Sequence, residues 1–376
     1  MTAERIVIMN TEQLYSIVNE VAAESMGTDT IDVIDTSTLV ALGNSVLSST
    51  TNTEAFLNTL VQRIGKTIIS FRPYTSKLTL LDIGDMEFGQ IMQKTKTQMP
   101  IAIEDDTYNL TDGSSLDMYV VSKPEVHQKL FVKRTPLAFM KTFQTKALKE
   151  AFLSSEAMGN FIASIYGEIR NAIELAQENL GRLTMANYMA NATSQQVYDL
   201  VSLYNTATGE SQATGETALQ NEAFLRYALQ VIKNVAYSME TMSTLYNDGT
   251  EQRHTPRNLQ RIASIIQFKS ALETQVDYAA FNEDYVKLAS DIIVPYWQAA
   301  KSPLDIKVTD EEGEDAELSN VVAFIHDRDA LGTYRKEEEV LTTPVNARGR
   351  YYNTYYHIDN LYFNDYSENG VVFTLN

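Results

Sequence analysis

Residues Ser154–Asn191 read SSEAMGNFIASIYGEIRNAIELAQENLGRLTMANYMAN, and the reading of this stretch decides the fold. Apolar residues fall at Met158, Phe161, Ile162, Ile165, Ile169, Ala172, Ile173, Ala176, Leu180 and Leu183. Gaps of three and four align them along one face of a helix. Asn160, Glu168, Arg170, Asn171, Glu174, Gln177, Glu178 and Arg182 fall on the other face, and no proline interrupts the span. Ser154 or Ser155 can cap the start, with Glu156 in the first turn at the positive end of the dipole. The rise per residue makes this helix roughly 50–55 Å long, against a usual helix of about 11–12 residues. Met158, Ile162, Ile165, Ile169, Ala172 and Ala176 keep the spacing of a coiled-coil seam. Asn179 breaks that series, and the remaining apolar residues widen the stripe, which favours a helix packed on a sheet.

Before the long helix, the pattern predicts an arm with helices over Thr11–Glu24, from Ser37 or Thr38 to Leu47, and from Thr53–Glu54 onward. Gly27–Thr36 is polar and turn-rich, and is expected to be mobile. Phe56, Leu57, Leu60, Val61 and Ile64 mark the apolar side of the third helix. Ile68, Ile69 and Phe71 lead into Arg72-Pro73, and Leu78, Leu80 and Leu81 alternate in strand fashion. Residues 90–121 hold few large apolar side chains but many lysines, threonines and aspartates, with a turn at Asp112-Gly113-Ser114. That stretch cannot bury much by itself and reads as a two-stranded excursion needing a partner surface. A strand returns through Leu130, Phe131 and Val132, and a short helix over Thr145–Phe152 leads into the long one.

After it, residues 193–300 read as mainly helical. Thr206–Thr217 is a loop, and Glu222–Leu245 is an amphipathic helix through Phe224, Leu225, Ala228, Val231, Ile232, Val235 and Met239. Asn247-Asp248-Gly249 is a turn. Thr255-Pro256 predicts another helix start, with Leu259, Ile262, Ile265 and Ile266 as its face. Residues 301–376 return to strands. Leu304–Val308 alternates, Asp310–Glu317 is an acidic turn, and Val321–Ile325 reads as a strand buried on both faces.

The 376 residues suggest two or three domains. The 21 tyrosines outnumber the 14 phenylalanines, a balance suited to half-buried interfaces. With no cysteine, disulfides, thiolate metal sites and cysteine nucleophiles are excluded. Residues 1–10 lack the pattern of a signal peptide, and no apolar run approaches the roughly 18 residues of a membrane helix. A soluble protein made in a cytoplasm, without membrane contact, is expected. Net charge is −19, unsuited to tight nucleic-acid binding. Residues 66–149 nevertheless carry twelve bases against nine acids, and residues 301–376 seven against fifteen. The basic segment can dock on acidic neighbours, including copies of the same chain.

Catalytic signatures are scarce. The four histidines, His127, His254, His326 and His357, are not paired at metal-ligand spacing. Phosphate loops, nucleotide fingerprints and nucleophile elbows are missing. Asp310-Glu311-Glu312-Gly313-Glu314-Asp315 lacks the spacing of a calcium-binding hand and reads as an exposed turn. His326-Asp327-Arg328-Asp329 reads as a hydrogen-bonded, salt-bridged turn at a strand end, and Glu104-Asp105-Asp106 as solvated loop charge. No catalytic residue, cofactor or metal is assigned. The enzyme reading that competes is a carboxylate-based hydrolase using Asp327, Asp329 or Glu104.

The order of elements resembles the major capsid proteins of tailed bacteriophages, with the Hong Kong 97 type of fold. Local stretches add to it. Asp35-Thr36-Ser37-Thr38 with Leu39-Val40-Ala41 is similar to the opening of such coat proteins, and Phe88-Gly89 before Ile91 to an aromatic-glycine pair near their extended loop. Phe324–Leu331, Asn346–Asn353 and Glu368–Phe373 resemble their C-terminal halves. The resemblance implies an α+β capsid fold with an N-terminal arm, extended β-hairpin loop, long spine helix, and peripheral and axial domains. Residues 1–66 would be the arm, 67–135 the extended loop, 136–192 the peripheral domain with the spine at 154–191, and 193–320 the axial domain. Residues 321–376 would be strands returning to both domains.

The implied function is structural: pentamers and hexamers of an icosahedral shell around double-stranded DNA, in the virion, assembled in a host bacterial cytoplasm. Implied partners are further copies, a separate scaffolding protein, a portal, and DNA by weak non-specific contact. An encapsulin-like compartment shell is the alternative on the same fold.

Overall fold

The computed structural model describes residues 11–27, 31–67, 76, 78–86, 91–100, 102, 111–115, 117–119, 121, 123, 125–132, 134–209, 211, 215–275, 292–309 and 315–376. Three helices come first: α1 (Thr11–Met26), α2 (Thr36–Val46) and α3 (Thr50–Thr67). A 3₁₀ turn at Thr79–Leu81 leads to β1 (Asp82–Asp85), then β2 (Met92–Thr97), β3 (Val126–Phe131) and β4 (Arg134–Gln144). Next are α4 (Thr145–Ala151), α5 (Ser155–Ala190), β5 (Val197–Asp199), α6 (Leu200–Thr208) and α7 (Glu222–Ser238). β6 (Gln260–Ile265), α8 (Ile266–Gln275), β7 (Ile292–Val294), β8 (Ile306–Thr309) and β9 (Asp315–Leu318) follow. The chain closes with β10 (Val321–Asp327), β11 (Leu331–Thr342), β12 (Tyr351–Asn364) and β13 (Gly370–Thr374).

The long helix is α5, 36 residues without a break. Ser154 caps it, its hydroxyl accepting from the Ala157 N–H at 3.1 Å. Asn191 closes it, its amide donating to the Asn187 carbonyl at 2.8 Å. The two faces are less cleanly divided than the spacing predicts. Met158 and Ile169 are buried, but Ala172 and Leu183 are exposed. Glu178 and Arg182, assigned to the polar face, are buried as an ion pair, with the guanidinium 4.5 Å from the centre of the Tyr296 ring. The last two turns bury Met185, Ala186, Tyr188 and Met189, so this end is enclosed on more than one side.

Two sheets organise the rest. The four-stranded sheet runs β1-β11-β12-β4, and α5 packs against β4, β11 and β12. The five-stranded sheet runs β5-β13-β10-β6-β7. Its central strand β10 is antiparallel to β13 and β6 and buried along its length, as its unbroken apolar run predicts. One core joins this sheet to α6, α7, α8 and the C-terminal part of α5. A second joins α1, α2, α3 and α4 to the start of α5 through Phe56, Phe143, Phe152 and Tyr352.

Several expectations need correction. Thr255-Pro256 does not start a helix. Leu259 ends a turn, and Gln260–Ile265 is strand β6, held between β10 and β7. Its residues are buried on both faces, so no polar alternation marks it as a strand. α7 stops at Ser238, because the Met239 carbonyl accepts from Thr255 N–H at 2.7 Å and Ser243 pairs with Arg253. Leu80 and Leu81 lie in a 3₁₀ turn rather than a strand. Val33, expected in a mobile segment, is buried, and its N–H donates to Asn19 Oδ1 at 2.7 Å. Asp35, not Ser37 or Thr38, caps α2 in a capping box with Thr38. β4 lies in a stretch for which no strand is predicted. Ile68, Ile69, Phe71 and Phe88-Gly89 lie outside the described residues.

Candidate assembly surface

β2 and β3 form an antiparallel ribbon in register from Met92↔Phe131 to Thr97↔Val126. Period-two alternation gives it two faces. One carries Met92, Lys94, Lys96, His127, Lys129 and Phe131 toward the body. The other carries Gln93, Thr95, Thr97, Val126, Gln128 and Leu130, all exposed, with Val126 and Leu130 at 56% and 58%. Beyond the ribbon, Met118, Tyr119 and Val121 are more exposed still. Asp112-Gly113 forms the predicted turn, with Ser114 N–H on the Thr111 carbonyl at 2.9 Å and Gly113 at a φ of +85°. Among the described residues, none between Leu81 and Phe143 is buried. The described part of the excursion therefore contributes no buried side chain, in line with its composition.

The body-facing side meets the β12–β13 connection. Lys94 Nζ donates to Asp365 Oδ2 at 3.0 Å, and Lys129 Nζ to Asp365 Oδ1 at 2.9 Å. Lys96 Nζ lies 3.4 Å from Asp365 Oδ2 and 2.9 Å from Glu368 Oε1, and donates to Ser367 Oγ at 2.6 Å. Lys94 also reaches the Asp329 carbonyl. Phe131 packs on Phe363 with the rings tilted and their centres 5.2 Å apart, and Lys94 lies over the Phe363 ring. The Asp365 side chain is wholly buried. Burial alone pushes its carboxyl up, but Lys94, the Ser367 hydroxyl, Lys129 and Lys96 outweigh it and hold the group well below the usual carboxylate range.

A second exposed feature lies across the four-stranded sheet. Tyr355 on β12 stands opposite Met140 on β4 and Leu341 on β11. Met140 is 60% exposed and Leu341 48%, so the three form an apolar row on an open face. Ala138, His357 and Glu339 form the next row on the same face, with His357 stacked on Tyr355 at 6.2 Å.

The sequence-selected acidic clusters behave as structure. His326 is buried, stacks on Phe324 at 4.9 Å, and sets Nδ1 2.8 Å from the Asp327 carbonyl. Asp327 accepts from the Thr255 hydroxyl at 2.8 Å and from Asp329 N–H at 2.9 Å. Arg328 pairs with Asp329 at 3.4 Å. This is the salt-bridged turn the sequence suggests. Asp315 opens β9 and pairs with Lys307 at 2.8 Å. Residues 310–314 and Glu104-Asp105-Asp106 lie outside the described residues. Among the described residues, no group of three His, Asp or Glu is arranged to hold a metal, and no helix is long and apolar enough to cross a membrane.

Sequence reasoning missed the grouping of Lys94, Lys96 and Lys129 with Asp365 and Glu368, and the Met140–Tyr355–Leu341 row. The one available signal was Lys94-x-Lys96, two cations on one strand face.

Comparison with known proteins places this geometry. Residues 16–374 match the family described as the Phi29-like phage major capsid protein. The major capsid protein of Bacillus phage B103 is 22% identical over 350 residues, which is 92% of this chain and 69% of that protein. The capsid structure of Staphylococcus phage Andhra aligns with a TM-score of 0.53 at 13% identity, over 79% of this chain and 83% of its own. A chain in the structure of head fiber and inner core protein gp22 of native bacteriophage P68 aligns at 0.56 and 13% identity, over 80% of this chain and 85% of its own. These likenesses establish a mixed α+β phage-capsid fold. The family is structural, which overturns the hydrolase reading of Asp327, Asp329 and Glu104. The chain belongs to the Phi29-like phage major capsid protein family.

Proposed function

We propose that the β2–β3 ribbon and its tip are the reach by which one shell subunit engages the next. The protein is a major capsid protein that assembles with copies of itself into the icosahedral shell of a tailed phage. Within that role, residues 1–66 act as the arm and 67–135 as the extended loop. Residues 136–192 form the peripheral domain around the spine at 154–191, and 193–320 the axial domain. Residues 321–376 thread back through both, a reading supported by β11 and β12 joining the four-stranded sheet while β10 and β13 join the five-stranded one. Pentamers and hexamers close around the axial domains.

The carrying observation is the excursion between Leu81 and Phe143, which buries nothing among its described residues yet exposes Met118, Tyr119, Val121, Val126 and Leu130. Such a segment lowers its free energy only when a neighbour covers it. Lys94, Lys96 and Lys129 pair with carboxylates of their own subunit, and the other bases of residues 66–149 suit the acidic surface of adjacent copies. A shell lined by a strongly acidic protein repels packaged double-stranded DNA and limits contact to weak, non-specific encounters. A separate scaffolding protein and a portal complete the set of partners, and assembly takes place in the host bacterial cytoplasm. Deleting residues 99–124, which keeps β2 and β3, tests the reading. Soluble subunits that fail to close shells are expected, and normal shells from the deletion contradict it.

A further inference from the structure

We propose that the β2–β3 ribbon is a hinged element latched to its own subunit by the carboxylate of Asp365, and that this latch rather than packing sets the direction in which the ribbon points. Neither strand places a residue in either core. The ribbon's apolar contact with the body centres on Phe131 against Phe363, 5.2 Å apart, which by itself leaves the ribbon free to turn. What does hold it is chiefly the Asp365 carboxylate, with Glu368 beside it 2.9 Å from Lys96 and 3.8 Å from Lys94. Lys94 on β2 and Lys129 on β3 are cross-strand partners, and each takes a different oxygen of Asp365, at 3.0 and 2.9 Å. One grip from each strand fixes rotation about the ribbon axis as well as tilt. Lys96 adds a third contact at 3.4 Å.

Asp365 is itself anchored. Its N–H donates to the Ala330 carbonyl at 2.6 Å, and its Oδ1 accepts from Ser367 N–H and Oγ at 3.2 and 2.7 Å. A carboxylate held away from water attracts its partners more strongly than an exposed one. The balance of charge makes the latch depend on that one carboxylate. Without the Asp365 charge, Lys129 loses its carboxylate partner, and Lys94 and Lys96 share Glu368 with Arg253, which approaches it at 3.8 Å. Like charges then push the ribbon away. The use of the latch rests on the reading above, since a released ribbon can meet neighbours at different angles. The latch itself is a property of one subunit.

The chain has no cysteine, so spin labels at Gln128→Cys and Ser202→Cys, both exposed positions, report the ribbon's placement in soluble full-length subunits. The parent is expected to give one narrow distance distribution. Asp365→Asn keeps the acceptor for Ser367 and removes the charge, and should broaden the distribution at least two-fold. Lys94→Gln with Lys129→Gln, both on the ribbon, should broaden it equally and decides the matter if Asp365→Asn does not fold. Phe131→Ala should leave it narrow. Unchanged distributions in the charge variants, or broadening in Phe131→Ala alone, overturn the latch in favour of packing. Shell assays on the tip deletion stay separate, so failure of the inter-subunit reading is distinguishable from failure of the latch.

Discussion

Tyr188 on the long helix and Gly370 at the start of the last strand leave no room for a β-carbon between them. One built on Gly370 would lie 2.5 Å from Tyr188 Cε1 and 2.7 Å from its hydroxyl. The ring cannot retreat. It is fully buried, 5.3 Å from Phe324 and 5.2 Å from Tyr366, and its hydroxyl donates to the Glu368 carbonyl at 2.8 Å. This contact joins α5 to the connection that also receives the ribbon lysines. Gly370→Ala is expected to destabilise the subunit by about 1–3 kcal/mol through overpacking. Urea denaturation of soluble subunits measures it, and an unchanged midpoint would show that the helix end yields.

Trp297 is fully buried and donates its indole N–H to the Val321 carbonyl at 2.8 Å. Trp297→Phe removes the donor and leaves that carbonyl unpaired at the head of β10. The expected loss is about 1–3 kcal/mol for the orphaned acceptor, with an added cavity term. Amide exchange should then accelerate in β10 more than in β12.

Asp327 and Asp365 give opposite pH dependence. Burial raises the Asp327 carboxyl against the pull of Asp329 N–H and Thr255. Its protonated form is favoured in the fold, so its contribution becomes unfavourable as pH rises from the usual value near 3.8 toward the folded value. Asp365 is lowered, because its lysines outweigh burial. Its stabilisation is full above the usual 3.8 and is lost as pH falls below it. The stability gap between the parent and Asp365→Asn should therefore be constant near neutral pH and narrow in acid. Denaturation midpoints across about pH 3–7 check this. A gap that widens in acid would reverse the assigned sign.

The Met140–Tyr355–Leu341 row makes a separate prediction. Met140→Glu with Leu341→Glu changes two exposed side chains, so stability should move by less than about 0.5 kcal/mol per site. If neighbours cover this face, closed shells should nevertheless be lost. Size-exclusion chromatography with electron microscopy distinguishes the outcomes, and normal shells would leave the face without an assembly role.

The long helix was legible to within a residue at each end, because Ser154 and Asn191 are local caps and the period between them is long. β10 was legible for the same local reason, an unbroken apolar run. β6 was not. Ile262 and Ile265 fit a helical spacing, and only their partners Ile325, on β10, and Val294, on β7, make them strand residues. The burial of Glu178 and Arg182 was equally hidden, since Tyr296 comes from a distant segment. The same holds for the ribbon cluster. Lys94 and Asp365 lie 271 positions apart, and nothing local to either marks the pair. The exposed excursion was legible because a shortage of large apolar residues is a local property.

Electron microscopy of the expressed full-length protein, with and without a co-expressed scaffold, tests the central claim most directly. Closed icosahedral shells are expected, with the β2–β3 ribbon of each subunit lying across its neighbour. Only small globular species under both conditions, or shells whose ribbons touch no neighbour, would contradict it.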